Sequence, residues 1–173
     1  AMPEISIGLY PDVGASWFLS RLPGKLGLFL GLTGAHMNGR DALDLGLADR
    51  FLLDEQQDEM LEGLLQLNWQ EQTAMQLNSL FKALAQEAAS QQPEAQWLPR
   101  RQPIDEWLDV GDVRCAWRAL SQLREHSDPL FSRAGRTMSE GCPLTAHLVW
   151  EQIRRARHLS LSQVFQMEYT LSL

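Results

Sequence analysis

Two carboxylates stand in apolar company near the start of the 173-residue sequence. Glu4 is flanked by Met2, Pro3, Ile5, Ile7 and Leu9, and Asp12 lies between the Leu9-Tyr10-Pro11 stretch and Val13. A carboxylate in such surroundings either finds hydrogen-bond donors or is driven toward its neutral form, and a raised pKa suits a general acid or base near neutral pH. Asp12 also has a plainer reading. It follows Pro11 and precedes the apolar run ending at Leu22, which is the placement of a helix N-cap, and spacing leaves cap and catalysis both open. Glu4 lies too early to cap that helix, so its alternative to catalysis is a solvated residue.

Other chemistries find less support. His36, His126, His147 and His158 show no metal-ligand spacing with a third ligand, and surface or hydrogen-bonded structural roles are expected for them. No Gly-x-Ser-x-Gly elbow occurs. The Gly24-Lys25-Leu26 step lacks the long glycine-rich lead and the Ser or Thr of a phosphate loop. Arg154, Arg155, Arg157 and His158 cluster where a helix should end, and cations there favour the dipole. A solvated helix terminus is the expected role, with a phosphate contact as the alternative. Arg100 and Arg101 are ambiguous in the same way.

The elements that must position the two acids are read from pattern. Residues 4–9 alternate weakly and suggest a short strand or extended pocket wall. Asp12 is expected to start a helix that ends near Leu22, before Pro23 and Gly24. A second helix, 25–33, is apolar on nearly every side and so buried, with Gly34 as its cap and Gly27 and Gly31 allowing close backbone packing. A short helix ends at Gly46, and 47–53 (LADRFLL) reads as a strand. Asp54 with Gln57 resembles a capping box for a helix through Leu67, and another helix runs 71–89. Residues 91–103 read as an irregular connection, mobile or packed on another part of the protein. Helices are then expected at 103–109, 112–126, 129–138 and 143–157. In the second of these Val113, Trp117, Leu120 and Leu123 form an apolar stripe. A last helix opens at Ser160 with Gln163 and turns Leu161, Val164, Phe165 and Leu171 inward.

Several motifs together carry a family resemblance: MPE, IGLYPDVGASWFLSRLPGKLG, LTG and NGRDALDLGLAD, and later CPLTAHLVWEQIRRA and LSQVFQMEYTLS. The sequence resembles the second half of the crotonase (enoyl-CoA hydratase/isomerase) superfamily, and within it the branch that hydrolyses 3-hydroxyisobutyryl-CoA. The PE element is shared across the superfamily, whereas the Asp of PDVG is narrower, since hydratases usually carry Gly at the position of Asp12. The resemblance implies a predominantly α chain, the helical C-terminal part of a crotonase-like α/β (ββα spiral) fold with one or two short strands. Residues 1–90 would form the second half of the core, with the active-site segment at 2–46. Residues 91–103 would connect it to a C-terminal helical region, 104–173, truncated at its end.

The resemblance further implies that Glu4 acts on the thioester carbonyl, directly or through water, and that Asp12 contacts the substrate hydroxyl. The whole protein would release coenzyme A and 3-hydroxyisobutyrate in valine breakdown. No cofactor is implied beyond the coenzyme A of the acyl-CoA substrate. The missing N-terminal half would supply sheet and oxyanion-binding N–H groups, so the piece alone is expected to be inactive, with Ala1 an added residue. The alternatives are an enoyl-CoA hydratase or isomerase, and a non-catalytic helical scaffold.

Composition bounds these readings. Forty-five per cent hydrophobic residues and six Trp argue for a packed core. A net charge of −7 speaks against a nucleic-acid partner. The longest apolar run, 26–32, is far too short for a membrane span. Cys115 and Cys142 read as reduced, core-filling thiols of a cytosol-like compartment, and the resemblance implies a cytoplasmic protein, or one of the mitochondrial matrix in a eukaryote. A homo-oligomer is left open.

Overall fold

The computed structural model describes residues 3–172; Ala1, Met2 and Leu173 lie outside the described residues, and with them the reading of Ala1 as an added residue. Every regular element described is a helix. The chain divides into two compact units, one of residues 1–36 and 99–173, the other of residues 37–98.

The first unit begins with α1 (Glu4–Ile7), closed by Gly8 in the left-handed region. Here the structure corrects the extended reading of 4–9. The Leu9 N–H reaches back to the Glu4 carbonyl at 3.1 Å, and Gly8 makes that reversal at no steric penalty. Next, α2 (Ala15–Leu19) is shorter than the helix expected from Asp12 to Leu22, because Val13 and Gly14 both adopt positive φ and delay its start. Buried α3 (Leu26–Thr33) follows, ended by Gly34 as the sequence indicates. A Cβ on Gly27 would clash with the Leu19 carbonyl oxygen and one on Gly31 would lie 2.9 Å from Val149 Cγ1, so these glycines let α3 approach α2 and the later segment that carries Val149.

The unit resumes with α7 (Arg101–Trp107), α8 (Val113–Gln122), α9 (Pro129–Glu140), α10 (Pro143–Ala156) and α11 (Leu161–Leu171). Asp112, Asp128 and Ser160 cap α8, α9 and α11 through side-chain oxygens, and Pro129 and Pro143 sit in the first turns where no N–H is needed. Phe29 of α3 meets Phe131 of α9 edge to face at 6.2 Å between ring centroids. Of the expected α8 stripe, Val113, Leu120 and Leu123 are buried and Trp117 is half-buried. The inward face expected for α11 is corrected: Val164 is buried, but Leu161, Phe165 and Leu171 are exposed, and the second buried residue of that helix is Glu168. The thiols do not fill the core either, since Cys115 is exposed and Cys142 is half-buried at the start of α10.

The second unit holds α4 (Gly39–Asp44), α5 (Gln57–Gln66) and α6 (Thr73–Ala88). Asn38 and Asp41 form a capping box on α4. The strand expected over 47–53 is absent: Leu47 and Ala48 N–H groups both turn back to the Ala42 carbonyl, and no strand pairs with this segment among the described residues. At the next helix the capping residue is Gln56 rather than Gln57. Its Oε1 accepts from Leu53 N–H at 3.0 Å, and residues Asp54–Gln56 form a 3-10 turn before α5. Gly63 on α5 sits against the Leu80 side chain of α6.

The segment read as an irregular connection is anchored through its middle. Buried Asp41 accepts from the Gln96 and Trp97 N–H groups at 2.6 and 3.0 Å, and Asn38 Nδ2 donates to the Glu94 carbonyl at 2.9 Å. These bonds join 94–97 to α4, so the compact units do not follow the sequence division at 90 and 103.

Candidate active site

Both candidate acids lie in the first unit, on the short segment between Pro3 and α2. Glu4 occupies the first turn of α1 and is only 8% exposed. Burial raises its pKa above the ordinary 4.5, its own backbone N–H works against that, and the Asp12 charge adds to the rise. The two carboxyl groups are therefore close enough to act on each other. Neither forms an ion pair among the described residues.

Asp12 is exposed, and the structure removes its role as a helix cap. Its backbone carbonyl accepts from Ala15 N–H at 2.8 Å, while its side chain accepts nothing from α2. The cap is provided from elsewhere in the chain. Glu168 Oε2 accepts from Gly14 N–H at 2.7 Å and Glu168 Oε1 from Ser16 N–H at 3.1 Å, satisfying donors that begin α2. With its conventional task done by another residue, the Asp12 carboxylate is left available to solvent or ligand.

Three further residues fix this turn, and the sequence reading missed them. Gln152 Nε2, buried on α10, donates to the Pro11 carbonyl at 2.9 Å and to Ser16 Oγ at 3.2 Å. Tyr10 donates its hydroxyl hydrogen to the Glu168 backbone carbonyl at 3.2 Å and also bonds Ser172. A signal for Glu168 existed in its register. It follows Val164 by four residues, so a helix that buries Val164 carries Glu168 to the same face. On α1, the Ile5 carbonyl accepts from Cys142 N–H at 2.8 Å, tying the Glu4 turn to the start of α10.

The basic residues weighed as phosphate contacts are mostly engaged locally. Arg154 and Arg155 pair with Glu151 at 3.1 and 3.4 Å, Arg100 with Asp128 at 2.7 Å, and Arg101 with Asp105 at 2.9 Å. The α10 end, with Lys25, borders a cavity of about 570 Å³. His126 Nδ1 accepts from Asp128 N–H at 2.9 Å, a structural use of the ring. Among the described residues no group of His, Cys, Asp and Glu could hold a metal ion, and no helix is long and apolar enough to cross a membrane.

The comparisons agree with one another at the level of family. Residues 1–173 match the family described as Enoyl-CoA hydratase/isomerase. The chain is 34% identical over 185 residues to 3-hydroxyisobutyryl-CoA hydrolase, mitochondrial, of Danio rerio, and 30% identical over 179 residues to 3-hydroxyisobutyryl-CoA hydrolase 1 of Arabidopsis thaliana. In both cases 99% of this chain matches 44% of the relative, so the chain spans less than half the length of these relatives. Among solved structures, a carnitinyl-CoA dehydratase from Mycobacterium thermoresistibile superimposes with a TM-score of 0.79 at 34% identity, covering 98% of this chain and 46% of that one. An enoyl-CoA hydratase from Rhodobacter sphaeroides gives 0.71 at 27% identity, covering 98% and 44%. Matched along its whole length, the chain belongs to the enoyl-CoA hydratase/isomerase family and has the helical C-terminal part of the crotonase fold.

Proposed function

We propose that the whole protein is an acyl-CoA thioester hydrolase acting on 3-hydroxyisobutyryl-CoA, and that this chain contributes its acid/base pair. The observation that carries this reading is the unlike pair itself: a buried Glu4 with a raised pKa, within the field of an exposed Asp12 that no structural bond consumes. The names of the matched hydrolases support the same substrate.

In this mechanism Glu4 works at the thioester carbonyl, as nucleophile or as the base that takes a proton from attacking water. Addition to the carbonyl carbon forms a tetrahedral oxyanion. In the water route, collapse breaks the C–S bond and the proton that Glu4 took from water passes to the departing thiolate of coenzyme A. In the nucleophile route, collapse expels the thiolate and leaves an anhydride on Glu4, which water then cleaves, one of its protons going to the thiolate and the other to solvent as the free acid ionises. A carboxyl whose pKa burial has raised is better matched to both proton movements near neutral pH than an ordinary one. Asp12 accepts a hydrogen bond from the substrate hydroxyl and holds the acyl group in register. The N–H donors for the oxyanion would come from the part of the protein outside this chain, at roughly several kcal/mol of transition-state stabilisation. No cofactor is required beyond the coenzyme A of the substrate. In a eukaryote the mitochondrial names of relatives favour the matrix as its location.

A second reading, enoyl-CoA hydratase or isomerase, is favoured by the structural likeness to an enoyl-CoA hydratase and to a carnitinyl-CoA dehydratase. Both reactions can be assayed with the full-length protein. Release of free coenzyme A from 3-hydroxyisobutyryl-CoA, with little hydration of crotonyl-CoA, supports the hydrolase. The reverse pattern supports the hydratase.

A further inference from the structure

We propose that Glu168, together with Gln152, is a positioning residue that fixes the turn over residues 11–16 and so sets the placement of the Asp12 carboxylate. The inference rests on the reading of Asp12 as part of the active site and extends it to two residues on α10 and α11.

The turn is one that a chain does not hold unaided. Val13 has φ +49° and Gly14 has φ +85°, and the first of these is costly for a β-branched side chain. Such a conformation persists only where its surroundings over-determine it, and it is found where function needs a fixed group. The surroundings here are specific. Both Glu168 oxygens are taken by N–H groups of this one turn, and Gln152 grips its two ends, at the Pro11 carbonyl and the Ser16 hydroxyl. Tyr10, just before the turn, donates to the Glu168 backbone.

Packing alone does not account for a carboxylate at this position. Glu168 is 4% exposed and has no cationic partner among the described ion pairs, so its burial is offset by the N–H donors it accepts. An apolar residue would fill the space without that desolvation. What it could not do is span two backbone donors with two fixed acceptors, as a carboxylate does. The bonds flank Asp12 on the chain, at Pro11 and at Gly14, while its own side chain stays exposed. Without them Val13 is free to leave the left-handed region, and the peptide after Asp12 turns with it.

The test is a double-mutant cycle in the full-length protein, with 3-hydroxyisobutyryl-CoA as substrate and thermal melting recorded for each variant. Glu168→Gln keeps the side chain's size but offers an NH2 group to one of the two backbone donors. It is expected to lower kcat roughly 10- to 100-fold, the scale of a small misplacement of a reacting group. In an Asp12→Asn background the same change is expected to lower the residual kcat by no more than about threefold, because residues acting as a unit are non-additive. Gln152→Met reads the same cycle should Glu168→Gln not fold, since it removes the two donated bonds and also an acceptor oxygen that has no partner among the described residues. An equal loss in both backgrounds, or no loss in either, overturns the positioning role and leaves the proposed function standing. Full activity in Asp12→Asn itself overturns the role of Asp12 and the positioning inference that rests on it.

Discussion

Glu4 is buried and Asp12 exposed, a difference that the proposed mechanism uses to divide the work between them. Glu4 is buried in α1, and its carboxyl is held above its ordinary 4.5 first by desolvation and further by the Asp12 charge. A carboxyl with a raised folded pKa binds its proton more tightly in the native state than in the unfolded one. Its favourable contribution is therefore complete below 4.5 and disappears as pH rises through the raised value. Wild type should lose melting temperature relative to Glu4→Gln as pH climbs through that interval, and parallel melting curves would contradict it. A sharper check is a carboxyl NMR titration of Glu4 in Asp12→Asn, which should move to lower pH because one cause of the rise has been deleted. In turnover, Glu4→Gln and Asp12→Asn should each lower kcat by at least about a hundredfold in the full-length protein. The sequence showed both acids through their apolar neighbours, but left Asp12 divided between cap and catalyst. The cap could not be excluded there because the residue that does the capping, Glu168, lies 156 positions away.

At the scale of elements, the glycines of α3 set how closely α2 and α10 pack against it. Gly27 has no room for a methyl group against the Leu19 carbonyl, so Gly27→Ala must push α2 and α3 apart, at about 3 kcal/mol by the usual scale of overpacking. A lowered denaturant midpoint with unchanged slope would show it, and an unchanged midpoint would refute it. At α9, Asp128→Ala removes both a cap and the partner of Arg100, and should cost about 1 kcal/mol through the cap. The helices from α8 onward were legible because caps and prolines punctuate them. The misreadings share one cause, which is that pattern does not report long-range partners. Residues 47–53 have the composition of a strand, but a strand needs a neighbour, and here the first N–H groups fold back to Ala42. Residues 94–97 have no period, yet buried Asp41 and nearby Asn38 bond their backbone at three points.

At the scale of the whole molecule, the chain matches less than half of its relatives' length, and the hydrolysis proposed above is a proposal for the whole protein. The proposed mechanism draws the oxyanion's N–H donors from the part of the protein outside this chain, and Glu4 and Asp12 are assigned other tasks in it. The isolated 173 residues are therefore expected to release no coenzyme A from 3-hydroxyisobutyryl-CoA at enzymatic rates, and turnover by this piece would refute that. The family was legible in the sequence because PE, PDVG and NGRDALDLG are local motifs, whereas the acyl group is selected by surfaces spread through the folded protein. The most direct measurement is release of free coenzyme A from 3-hydroxyisobutyryl-CoA by the full-length protein, its Glu4→Gln variant and its Asp12→Asn variant, assayed side by side. The account predicts rapid release by the wild type and near loss in both variants; a wild type that releases none, or variants that match it, would contradict it.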